Sequence, residues 1–178
     1  IEIGGSLGLM NPEAMVYVGD RRDEDFKGTF LVADSELGLY KVVTHRNSTS
    51  TAAVVSFLTN LSVPVTSMAY LGGVVYATNE YDGFLIKIDP DTGAFLNEAE
   101  DAKFDTTITA VGLDEGVSVG NVHALGVLDG ELMGLVEVVA SEVSHYGLER
   151  IDTTTGEATV VQTDSVDERY LDMTGYGL

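Results

Sequence analysis

The chain has 178 residues, 9 Lys plus Arg against 29 Asp plus Glu, a net charge of −20, and neither Cys nor Trp. A hydrophobic fraction of 44% supports a real core and excludes global disorder, and the missing Cys excludes disulfides, thiolate metal sites and cysteine catalysis. So many carboxylates repel phosphate backbones and anionic lipid, and no apolar run reaches the ~18 residues that span a bilayer, so neither nucleic-acid binding nor membrane insertion is expected.

Short apolar runs with two-fold rather than helical spacing follow one another along the chain. Residues 14–19 read as a strand, the charged run 20–25 as a solvated loop, and 29–34 and 38–43 as strands. Segment 50–60 has Thr, Val and Phe content that favours strand over helix. Strands 67–71 and 74–78 flank Gly72-Gly73, and 126–128 and 131–134 flank Asp129-Gly130; both dipeptides suit the positive φ angles of tight hairpins. Segments 84–89 and 147–152 each end at Asp and turn through Thr-Gly. No segment carries helical apolar spacing with caps, so the chain is expected to be all-β.

The runs repeat. Met15, Met68, Leu125 and Met173 occupy matching positions in strands with similar surroundings. Asp89-Pro90-Asp91-Thr92-Gly93 matches Asp152-Thr153-Thr154-Thr155-Gly156. Units are expected at 14–60, 66–105 and 122–163, with a further unit opening at 171–178 and an insertion near 105–121. Periods of roughly 40–50 residues with four strands each are propeller-like. The expected fold is therefore a β-propeller of about three four-stranded antiparallel blades plus the start of a fourth, in one domain or segment spanning 1–178.

Val75-Tyr76-Ala77-Thr78-Asn79 followed by Phe84-Leu85-Ile86-Lys87-Ile88-Asp89-Pro90-Asp91-Thr92-Gly93 resembles the repeat of YVTN-type and quinoprotein-like β-propellers. Residues 148–159 resemble the same repeat in secreted bacterial propeller proteins. The resemblance spans about three blades and implies an extracellular, periplasmic or cell-surface setting; blades of this kind serve binding proteins, surface layers and enzymes alike. Because propellers close with about 4–8 blades, three blades imply an excerpt of a longer protein, expected here from both ends, association with further copies of the chain, or an open stack of sheets with a covered edge.

Candidate chemistry is sparse. Asp89 and Asp91 open like a Ca2+ loop, but Gly93 and Ala94 stand where a fifth ligand and the sixth-position Gly belong, so a hairpin turn is the first reading and a bound Ca2+ the alternative. His45, His123 and His145 share no metal spacing. Glu13, Ser67, His123 and Asp172 fall at or beside the openings of the inferred innermost strands and are the candidates to face a central channel. Lactonase-like propellers hold a divalent metal at such strands, and by that resemblance Glu13, His123 and Asp172 are the trio that would bind one. No nucleophile elbow or dinucleotide fingerprint in a suitable context occurs. The expected function is a non-enzymatic extracellular module that binds a protein or small-molecule ligand or serves a surface or structural role. A metal-dependent propeller hydrolase or lactonase and a subunit of a composite homo-oligomeric propeller are the alternatives.

Overall fold

A computed structural model of the chain describes residues 11–19, 28–46, 51–78, 84–96, 106–107, 109–111, 117–140 and 143–162. These residues form strands and turns with no helix among them. The first sheet is a meander of β1 (Pro12–Tyr17), β2 (Gly28–Asp34), β3 (Gly38–Arg46) and β4 (Thr51–Asn60). The second contains β5 (Ser67–Leu71), β6 (Val74–Thr78), β7 (Phe84–Ile88) and the two-residue β8 (Thr106–Thr107). The third runs β10 (Val117–Leu128), β11 (Glu131–Ala140), β12 (Val143–Ile151) and β13 (Glu157–Gln162). At its outer edge β9 (Thr109–Val111) lies parallel to β13.

The local reasons for these elements lie in the sequence. Gly72 and Gly73 have φ of 61° and 89°, and Asp129 and Gly130 have 52° and 79°, as tight hairpins demand. Thr51–Asn60 is strand, as the β-branched content of that segment predicts. The stretch expected as an insertion, near 105–121, is described in part. Short Thr- and Val-rich pieces there pair as edges, giving β8 to the second sheet and β9 to the third, and β10 starts at Val117, ahead of the expected unit. Unit 171–178 and the charged run 20–25 lie outside the described residues.

The sheets stack in chain order, and their first strands β1, β5 and β10 lie side by side. Each sheet has a front face bearing two cross-strand rows. In the second sheet they are Met68–Ala77–Ile86 and Tyr70–Val75–Ile88. In the third they are Leu125–Gly134–Glu149 and Val127–Leu132–Ile151–Ala158. The matching rows of the first sheet are Met15–Val32–Tyr40–Phe57 and Tyr17–Phe30–Val42–Val55.

One core forms where the second sheet's front rows meet Ala14, Leu31, Ala33 and Leu39 on the back of the first. A second forms where the third sheet's front rows meet Ala69, Tyr76 and Leu85 on the back of the second. The middle sheet is thus buried on both faces. Each fully buried Leu or Ile there contributes roughly 1.5–3 kcal/mol. Among the described residues the stack does not close into a ring.

Candidate functional site

The two Asp turns are built alike. Asp89 Oδ1 accepts from the Asp91 amide at 2.9 Å, the Thr92 amide at 2.7 Å and the Thr92 hydroxyl at 2.8 Å. Asp152 Oδ1 accepts from the Thr154 and Thr155 amides at 2.8 Å each. Gly93 and Gly156 close the turns by donating to the Asp89 and Asp152 carbonyls. Hydrogen bonds from Thr92 hold the Asp89 carboxyl below its ordinary range, and those from Thr155 and then Thr154 do the same for Asp152. Asp91 meets Lys41 Nζ at 2.8 Å, so the turn after β7 is tied to β3 of the preceding sheet. These bonds account for Asp89 and Asp91 as turn and inter-sheet residues.

Of the four channel candidates, the structure places three. Glu13 is exposed near the start of β1. Ser67 opens β5, and its Oγ accepts from the Leu125 amide at 2.8 Å, joining the first strands of neighbouring sheets. His123 lies on β10, two residues before that amide. Asp172 lies outside the described residues, as do the side chains of His45 and His145.

His123 belongs to a cluster that crosses three strands of the third sheet. Its ring meets Tyr146 of β12 edge-on at a centroid distance of 5.1 Å. Its Nε2 lies 4.0 Å from Glu137 Oε2 of β11, an ion pair whenever the imidazole is protonated. Glu137 Oε2 also accepts from the Asn121 amide at 3.4 Å. The imidazole, the carboxylate and the phenol ring thus pack together at a mostly buried position, the His123 and Glu137 side chains being 6% and 16% exposed. Among the described residues no three His, Asp or Glu side chains gather closely enough to hold a metal ion.

On the front face of the same sheet lies Glu149, with no exposure and neither carboxylate oxygen hydrogen-bonded. Register puts it opposite Gly134, and Oε1 sits 3.7 Å from where a Cβ on Gly147 would be. In the first two sheets the matching row position holds Tyr40 and Ile86. Burial pushes the Glu149 carboxyl above the ordinary glutamate range. Neither Glu137, Tyr146 nor Glu149 stands out in the sequence. Runs 132–139 and 147–151 are apolar on both parities, so alternation does not say which face an embedded Glu takes. The signal that was present is the repeat itself, which aligns Glu149 with an Ile.

No protein-family model matches the chain, and no curated protein matches it.

Proposed function

We propose that the chain is a β-propeller segment that works outside the cytoplasm as a non-enzymatic module for binding, surface or structural interaction. The observation that supports this most is the stacking pattern. The same two front rows recur in three consecutive meanders, and in the second and third they are buried against the sheet before. With the first strands adjacent, this is how blades pack around an axis. The polar groups serve the scaffold: Asp89 and Asp152 shape turns, Lys41 and Asp91 tie sheets, and Ser67 joins inner strands. A hydrated anionic exterior with net charge −20 suits a surface-facing or secreted component.

The test is metal analysis of dialysed protein, followed by a lactone and phosphoester screen with and without added divalent cations. The expected outcome is no retained stoichiometric metal and no turnover. Turnover abolished by His123→Ala in a still-folded protein would replace this reading with a hydrolase.

A further inference from the structure

Glu149 lies in the seam between the second and third sheets, in one front row with Leu125 and Gly134. Leu125, Val136 and Ile151 of the same face pack on Ala69, Tyr76 and Leu85 of the second sheet's back. The carboxyl is fully buried, and neither oxygen has a hydrogen-bond partner. Such a group is tolerable when neutral and costly when ionised, so its charged form is stable only with a route to water.

Two glycines flank it, and they differ. Gly134, directly opposite on β11, is roofed, because Ile151 Cδ1 lies 2.6 Å from where a Cβ would stand. Gly147, two residues before Glu149 on β12, shares its face of the strand. Apart from the chain neighbours of Gly147, only Glu149 itself comes within 4 Å of that glycine's Cβ point, with Oε1 at 3.7 Å and Cγ at 3.9 Å. The carboxyl thus leans toward a bare piece of backbone that is itself only half-buried. The first sheet shows such a step completed. Tyr40, at the matching row position, lies across Gly38, two residues before it, with Cε2 2.5 Å from the Cβ point, and Tyr40 is only half-buried.

Few titratable groups share the seam. On the second sheet's back, Tyr76 of β6 and Lys87 of β7 stand in one row with Ala69. Lys87 is half-buried and has an interaction of its own, and β5 and β8 bring no titratable residue to that face. In the third sheet, the positions of β10, β11 and β13 on the face of Glu149 are apolar or glycine. Beyond Gly147, β12 continues on that face with His145, whose side chain lies outside the described residues. Burial, and no neighbouring charge, sets the shift of the Glu149 carboxyl.

We propose that Glu149 is a proton-operated latch on this seam. Neutral, its side chain stays between the sheets and completes their packing. Ionised, it turns to another rotamer across Gly147 into water, and the third sheet's hold on the second loosens. The latch needs only the stacked sheets and is independent of what the module binds.

NMR of the full chain, with carboxyl-labelled glutamate assigned through Glu149→Gln, tests it from about pH 5 to about pH 9, above the pI near 4.1. Glu149 should titrate within that window. Its Cγ protons should be shielded from a neutral gadolinium chelate below the midpoint and open to it above. The protection factor of the Leu125 amide, whose bond to Ser67 joins the two sheets, should fall several-fold across the same midpoint. Gly147→Ala puts a methyl 3.7 Å from Oε1, an ordinary contact, so the neutral form is kept while the way out narrows. Gly147 lies within β12 and has no positive φ, so the strand accepts the substitution. The Glu149 midpoint should then rise by about one pH unit, a tenfold change. Glu149→Gln should remove the pH response of Leu125, and His145→Gln should leave it in place.

A Glu149 carboxyl that does not titrate in the window overturns the latch, as does a side chain equally shielded in both forms. A midpoint indifferent to Gly147→Ala overturns the route over that glycine. A flat Leu125 protection factor overturns the coupling to the seam, and a response lost in His145→Gln assigns it to the histidine and overturns it too.

Discussion

Glu149 is the residue at which the third sheet departs from its own pattern. The first two sheets fill the position with Tyr40 and Ile86, and the third puts a carboxyl between sheets without a hydrogen-bond partner. A buried charge there is costly, so the neutral form is favoured and folding takes up a proton. The stability Glu149 contributes is therefore complete below the ordinary glutamate value of 4.5 and is lost as pH rises toward the elevated folded value. Asp89 and Asp152 act in the opposite sense. Their lowered values give stability present above 3.8 and lost as pH falls, an effect softened by solvent because Asp152 is exposed and Asp89 only partly buried. Wild-type stability should decline from about pH 4.5 upward, and Glu149→Gln should flatten that decline in chemical denaturation. Glu149→Leu, which restores the row, should gain about 1–3 kcal/mol at neutral pH. An unchanged pH profile in Glu149→Gln would show that the carboxyl has a counter-charge or water after all.

At the scale of elements, strands and turns were largely readable and the partnerships between sheets were not. Gly72-Gly73, Asp129-Gly130 and the two Asp-to-Gly turns carry their conformation in residue type, because positive φ and side-chain-to-amide bonds are local chemistry. The β9 edge strand is three residues with no periodicity to detect, and only tertiary pairing with β13 defines it. The bond from Leu125 to Ser67 is also non-local: 58 residues separate the pair, and a Ser at a strand start has no signature of its own. Its role can be measured. Ser67→Ala leaves the partly buried Leu125 amide without this acceptor and should cost about 1 kcal/mol. The Leu125 amide should also exchange faster than its neighbours on β10. Uniform loss of protection across all three sheets would instead indicate a general packing defect and no specific tie between β5 and β10.

Across the whole molecule, the repeat of Met68 and Leu125 in the sequence corresponds to one packing rule, a front row laid on the preceding back, while Met15 holds the matching row position in the first sheet. The rule orders the sheets but leaves the electrostatics unresolved. A chain of net charge −20 and pI near 4.1 gathers its carboxylates as it folds, and their repulsion opposes compaction. The described cations are already engaged where their partners are known, Lys41 with Asp91 and Arg150 with Glu131. Those surface pairs each contribute only about 0–1 kcal/mol. Screening should therefore stabilise more than pair-breaking destabilises. Salt shortens the Debye length from about 30 Å at 0.01 M to about 3 Å at 1 M, well below the roughly 10 Å between stacked sheets. The melting temperature should rise steadily with sodium chloride and equally with potassium chloride in calorimetry. A melting temperature independent of salt would mean that the carboxylates are already neutralised in the folded chain, by bound cations or by uptake of protons.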